Sequence, residues 1–130
     1  MKKSTQSWLN LAQEDLIVLE SIHNNELATG AASFHAQQCV EKSLKAVLEE
    51  YAPRVPKIHD LNKLFHEVSN FLSIEFDEIT VEKLNSLYIE SRYPGAFGFL
   101  PSGKPTLEDV SFFFKFAQNI FNSISEKLKP

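Results

Sequence analysis

The stretch HAQQCVEKSLKA, residues 35–46, carries the pattern on which the fold prediction depends. Apolar residues recur in it at spacings of three and four, and the pattern continues to Tyr51. In a helix with 3.6 residues per turn, this spacing places the apolar side chains on one face. We therefore predict a helix from about Gly30 to Tyr51. Its predicted buried stripe comprises Ala36, Val40, Leu44, Val47, Leu48 and Tyr51.

The same periodicity occurs in four other segments, at about residues 4–22, 61–68, 77–92 and 106–128, and no segment alternates convincingly like a β-strand. Thr106 followed by Asp109 is typical of a capping box at a helix start. Short connectors marked by proline favour antiparallel neighbours. The chain is therefore predicted to be a single all-α domain over residues 1–130, an up-and-down bundle of four main helices plus one short helix.

Each of the other predicted helices also has an apolar face that can be read from its spacing. For the short third helix, the face comprises Leu61, Leu64, Phe65 and Val68, and the central stripe of the last helix comprises Phe113, Ala117, Ile120 and Ile124. For the first helix, the face comprises Trp8, Leu11, Ala12, Val18, Leu19 and Ile22. For the fourth helix, it comprises Val81, Leu84, Leu87 and Tyr88. The last helix contains five of the 11 phenylalanines, and its apolar arc of roughly 200° exceeds the stripe of about 100° that one-sided packing needs. The helix is therefore central in its own bundle or packs against a second subunit, and we expect a homodimer.

Composition excludes several classes of function. Hydrophobic residues make up 43% of the 130 residues, which is typical of a globular protein, and a net charge of −4 argues against a generic polyanion binder. Cys39 is the only cysteine, which excludes an intramolecular disulfide and a zinc site built on several cysteines. We expect a cytoplasmic protein without a membrane span, because no apolar run is long enough and no apolar signal segment follows the N-terminal lysines.

Polar residues interrupt the predicted apolar faces at two places. Asp15 falls in the apolar arc of the first helix, where its carboxylate must be paired or must line a cleft, unless the edge of the arc reaches water. The second helix projects four polar side chains within an arc of roughly 80°, namely His35, Gln38, Lys42 and Lys45. This ribbon suits an anion or a polar cleft, and the alternative is a solvated face with a Glu41–Lys45 pair. Gln37 points into the apolar stripe and needs partners inside the bundle.

A second candidate region begins at the end of the fourth helix. Arg92 lies at the edge of the apolar stripe and needs a carboxylate or a phosphate beside it, with Asp15 as the intramolecular candidate. The connector 93–105 holds three of the four glycines and three of the six prolines, together with Phe97 and Phe99. It is either an ordered loop that tucks its rings onto the bundle or a binding loop, in which Tyr93 could stack on a base.

Familiar catalytic motifs are missing from the sequence. It contains no glycine-rich phosphate loop, no HExxH and no Cys/His metal spacing, so we expect no cofactor and no metal site. Cys39 is interpreted as a small core residue and not as a nucleophile. The turn at His59-Asp60 is interpreted as a helix start that Asp60 can cap.

Taken together, these features resemble the HEPN domain family, the higher eukaryotes and prokaryotes nucleotide-binding domain. The resemblance rests on EDL at 14–16, the phrase at 35–46, HDL at 59–61 and SRYP at 91–94, followed by the glycine- and proline-rich loop and a last helix. It implies an all-α bundle that usually forms homodimers. Such domains are often encoded beside a minimal nucleotidyltransferase in prokaryotic toxin–antitoxin pairs. Many members are metal-independent RNases, and others bind nucleotides or act only as partners.

The sequence departs from the RNase members at one place. In those members, four to six residues separate an arginine from the histidine that follows it. At these spacings after Arg92, this sequence has Phe97, Gly98 and Phe99. No histidine occurs after His66. The loss of a general acid or base costs a factor of about 10²–10⁴ in rate unless another group replaces it. Standard RNase activity is therefore not expected.

Three functional hypotheses follow. The first is a binding module for a nucleotide, an RNA phosphate or a minimal nucleotidyltransferase partner. Its predicted site residues are Asp15, His35, Gln38, Lys42, Lys45, Arg92 and Tyr93. The second is an RNase toxin, for which Arg92 and a displaced base such as His35 are the catalytic candidates. The third is a structural dimerisation or adaptor domain, in which Asp15 and Arg92 form only a salt bridge.

Overall fold

Periodic apolar spacing does produce helices throughout the part of the chain that the structure describes. The computed structural model describes residues 1–90 and 104–129, and in these ranges it contains five α-helices and no strand. The helices are α1 (Lys3–Ile22), α2 (Thr29–Tyr51), α3 (Leu61–Val68), α4 (Glu78–Glu90) and α5 (Leu107–Leu128). The all-α prediction is confirmed. Among the described residues, no helix combines the length and apolar character that a bilayer crossing requires.

Two helix starts follow from the predicted capping residues. The Thr106 hydroxyl accepts the Asp109 backbone N–H at 3.0 Å, and the Asp109 carboxylate accepts the Thr106 N–H at 2.9 Å, which completes the capping box of α5. At the start of α3, the Asp60 carboxylate accepts the Lys63 N–H at 3.3 Å. Asn85 of α4 donates to the same carboxylate at 3.2 Å, so the cap also attaches α4 to the start of α3.

Helix α2 is the central element of the bundle, because it contacts each of the other four helices. More than half of its 23 residues are buried, which one-sided packing would not require. Cys39 lies fully buried on α2, and burial raises the pKa of its thiol to about 12. The interpretation of Cys39 as a core residue is confirmed, and the thiol stays protonated near neutral pH.

Three residues of the predicted apolar faces are exposed, and these predictions were wrong. Leu11 and Val18 on α1 are 42% and 38% exposed, and Tyr51 at the end of α2 is 47% exposed. The buried line of α1 runs instead through Thr5, Leu9, Ala12, Asp15 and Leu19. Among the five described helices, α1 contacts α2 and α5, and these two neighbours decide which narrow line is covered. Tyr51 stacks on Phe71 outside the core, with ring centroids 6.1 Å apart.

The phenylalanines of α5 pack mainly within the chain. Phe113, Ala117, Ile120 and Ile124 form the predicted buried stripe. Phe114 and Phe116 pack against the core from its two sides: the ring of Phe114 lies 4.8 Å from that of His23, and the ring of Phe116 lies 6.5 Å from that of Phe65. Phe112 alone among the five is largely exposed, at 63%. The homodimer therefore stays a prediction. Analytical sedimentation at micromolar concentration tests it, and a monomer would contradict it.

Adjacent phenylalanines on α5 offer a matched test of this packing. Phe113→Ala should lower the free energy of unfolding by about 3–5 kcal/mol, because it removes a fully packed ring and leaves a cavity. Phe112→Ala should change it by less than about 0.5 kcal/mol, because that ring lies mostly in water. Urea denaturation followed by circular dichroism measures both values, and similar losses in the two variants would contradict the assigned packing.

Candidate functional site

A buried carboxylate on α1 holds two basic side chains of α2. Asp15 Oδ1 lies 2.9 Å from Nδ1 of His35, and Asp15 Oδ2 accepts from Nζ of Lys42 at 2.8 Å. His35 and Lys42 are seven residues apart, about two helical turns, and so lie on one face of α2. The prediction that Asp15 is paired or lines a cleft is confirmed. The partner that sequence suggested for it, Arg92, lies outside the described residues.

The three side chains of this cluster differ in their access to solvent. The side chain of Asp15 is 8% exposed, whereas those of His35 and Lys42 are 29% and 22% exposed. Because a carboxylate only accepts hydrogen bonds, Nδ1 of His35 must carry the proton that it shares with Asp15. Nε2 of the ring and two of the three ammonium protons of Lys42 are then not used by Asp15. Lys42 therefore keeps donors for a further partner, whereas Nε2 of His35 is a donor when the ring is protonated and an acceptor when it is neutral.

A second buried carboxylate organises a separate cluster farther along α2. Glu41 accepts from Lys45 at 3.1 Å, and both of its oxygens lie 3.1 Å from Nδ1 of His59. The side chains of Glu41 and Lys45 are only 5% and 7% exposed. The Lys45 ammonium also lies 5.7 Å from the centre of the Trp8 ring, within the range of a cation–π contact. The Glu41–Lys45 pair therefore exists, but it is buried and not part of a solvated face.

Two glutamine side chains extend the Glu41 cluster. Gln37 is fully buried, as predicted, and its Nε2 donates to Glu41 at 3.3 Å. Gln38 is partly buried, and its Nε2 donates to Oε1 of Gln37 at 2.7 Å. The predicted polar ribbon is thus divided, because Lys42 belongs to the Asp15 cluster and Lys45 to the Glu41 cluster. Sequence reasoning did not include Glu41 among the site residues, although its position four residues after Gln37 was a usable signal.

The remaining predicted residues lie beyond what the structure describes. Arg92, Tyr93 and the loop residues Phe97 and Phe99 fall within 91–103 and outside the described residues. Their assignment to the site stays a prediction. In residues 1–90 and 104–129, no group of three or more His, Cys, Asp and Glu residues is arranged to hold a metal ion.

One family model and two solved structures match this chain. A sequence model described as HEPN domain matches residues 5–128. The structure is similar to TT1696 from Thermus thermophilus, with 20% identity, a TM-score of 0.78, and coverage of 98% of this chain and 100% of that chain. It is also similar to ST0689, described as an archaeal HEPN homologue, with 23% identity, a TM-score of 0.70, and coverage of 99% and 100%. At these identities the structural likeness shows the fold alone. No curated protein matches the sequence.

The Asp15 cluster makes a prediction about stability. Asp15→Asn keeps the size of the side chain but removes the counter-charge of Lys42, and we expect it to lower the free energy of unfolding by about 1–3 kcal/mol. Glu14→Gln is the matched control, because Glu14 is exposed and its loss should change the value by less than about 0.5 kcal/mol. Urea denaturation at pH 7 compares the two variants. Equal stability of both would contradict a structural role for the Asp15 carboxylate.

Proposed function

Because the chain belongs to the HEPN domain family, we propose that it is a binding module for the phosphate of a nucleotide or of RNA, without the standard RNase activity of that family. The observation that carries this proposal is the Asp15 cluster, in which a buried carboxylate holds His35 and Lys42 while both side chains stay partly exposed. We propose with this function that the chain forms a homodimer. We also propose that it has a minimal nucleotidyltransferase partner, as in prokaryotic toxin–antitoxin pairs. Copurification of the neighbouring gene product tests this partner.

The chemistry of the cluster favours an anion. A phosphate placed over this face of α2 would accept from Nζ of Lys42 and, when the ring is protonated, from Nε2 of His35. Asp15 prevents the two groups from turning away, so less side-chain entropy is lost on binding. Since the net charge of the chain is −4, this attraction is local and not a property of the whole surface. Arg92 would add a third cation, as the sequence predicts.

The proposed phosphate contact can be tested at Lys42. Lys42→Met keeps most of the aliphatic stem and removes the charge, so the affinity for a short RNA should fall about tenfold. The slope of log affinity against log salt concentration should become shallower by about the amount that one phosphate contact contributes. Lys3→Met is the control, because Lys3 is exposed and lies about 18 Å from Asp15 along α1. Calorimetric titration gives both values, and unchanged affinity in Lys42→Met would remove this cluster as the binding site.

One observation favours a second candidate, an RNase that uses His35 as a displaced base. The contact of Asp15 with Nδ1 orients the ring so that Nε2 is available, which is how a carboxylate positions a catalytic histidine. Lys42 beside it could stabilise charge on a phosphate in the transition state. This candidate shares the site of the first one and differs in predicting turnover.

Incubation of the purified protein with a labelled RNA distinguishes the two candidates. If His35 is the base, His35→Ala should lower the cleavage rate by about 10²–10⁴. His66→Ala is the matched control, because His66 is exposed on α3 and lines a different cleft, between α3 and α4. The absence of cleavage by the wild-type protein would contradict the RNase candidate and leave the binding module.

A further inference from the structure

We infer that Gln38 makes the phosphate site selective for ribonucleotides over deoxyribonucleotides, because its carbonyl oxygen is held ready to accept from a 2′-hydroxyl. The inference rests on the proposed function, since it requires a phosphate at His35 and Lys42. It goes beyond that function by assigning a selecting residue and the group on the ligand that this residue contacts. The hydrogen bonds that fix this oxygen begin in the core, at Glu41, and end at Gln38.

The orientation of Gln37 is imposed by Glu41. The Glu41 carboxylate is almost fully buried and forms an ion pair with the Lys45 ammonium, and a carboxylate can only accept hydrogen bonds. The atom of Gln37 that lies 3.3 Å from Glu41 must therefore be the amide nitrogen, because a carbonyl oxygen there would place two acceptors against each other. Oε1 of Gln37 then lies on the side of the amide that faces away from Glu41.

The orientation of Gln38 follows from that of Gln37. Oε1 of Gln37 needs a donor, because the side chain is fully buried, and Nε2 of Gln38 supplies it at 2.7 Å. The amide of Gln38 cannot turn over without breaking this bond and leaving the oxygen of Gln37 unsatisfied. Within the described part of the chain, Oε1 of Gln38 accepts no hydrogen bond. Oε1 of Gln38 is therefore an acceptor of fixed direction on a partly exposed side chain.

The register of α2 places Gln38 beside the two residues of the phosphate site. Gln38 follows His35 by three residues and precedes Lys42 by four, so it lies between them on the same face of α2. Lys42 and, when its ring is protonated, His35 thus offer donors to an anion on either side of Gln38 along α2, and the matching ligand carries a hydrogen-bond donor next to its phosphate. A ribonucleoside 3′-phosphate has this chemistry, because its 2′-hydroxyl is on the carbon adjacent to the one that bears the phosphate. The deoxy compound lacks the donor.

Calorimetric titration with adenosine 3′-monophosphate and its 2′-deoxy analogue tests the inference, because the two compounds differ only in the hydroxyl. The wild-type protein should bind the ribonucleotide about three- to tenfold more tightly, which is the effect of one hydrogen bond. Gln38→Leu should lower the affinity for the ribonucleotide to that for the deoxy compound, while the affinity for the deoxy compound stays within about twofold.

A second variant separates the orientation of the amide from its presence. Gln37→Met fills a similar volume and releases the Gln38 amide, so the preference for ribose should fall although Gln38 is intact. If Gln37→Met does not fold, Gln38→Leu carries the test, because Gln38 is only partly buried. Gln6→Leu is the control, because Gln6 is exposed near the start of α1 and its loss should leave the preference unchanged.

The outcomes distinguish this inference from the proposed function. Equal affinity of the wild-type protein for the two compounds, or a preference that persists in Gln38→Leu, overturns the selecting role of Gln38 and leaves the phosphate site in place. Failure of the wild-type protein to bind either compound overturns the phosphate site, and the selecting role with it.

Discussion

Burial of the Asp15 carboxylate is the interaction on which the arrangement of the site depends. A carboxylate removed from water without partners is costly, so α1 must rotate until Asp15 meets His35 and Lys42 of α2. At the opposite end of the same helix pair, Glu50 of α2 accepts from the backbone N–H of Lys2 and the hydroxyl of Thr5. These two bonds lower the pKa of Glu50 below its ordinary value. One carboxylate from each helix therefore fixes the register of the pair.

The enclosure of α2 explains why its polar residues divide into two groups. A polar side chain on a helix that touches all four other helices must find a partner or reach the surface. Lys45 is enclosed, and Glu41 and the Trp8 ring satisfy it, so its role is structural. Lys42 is partly exposed and uses one of its three protons on Asp15, so it can also bind a ligand. Gln37 and Gln38 continue the hydrogen bonds of Glu41 from the core to a partly exposed position on α2.

The fold could be predicted because its main signals are local. The capping box at Thr106 and the cap at Asp60 require only residues three positions apart, and both helices start where these caps predict. The buried stripe of α5 follows from its 3.6-residue period. Leu11 and Val18 show the limit of this reasoning: periodicity indicates that a helix has an apolar face, but the width and direction of the buried part depend on the neighbours that cover it.

The sequence by itself determined the helices, the family resemblance and the need of Asp15 and Gln37 for partners. These properties depend on spacing within one helix and on the cost of burying a polar group, which are both readable without coordinates. Only the tertiary structure decided which partners they have. His35 and Lys42 are 20 and 27 residues from Asp15, and contacts across such separations depend on how the helices rotate against each other. For the same reason, tertiary packing decided that Lys42 stays accessible while Lys45, three residues later on the same helix, is buried.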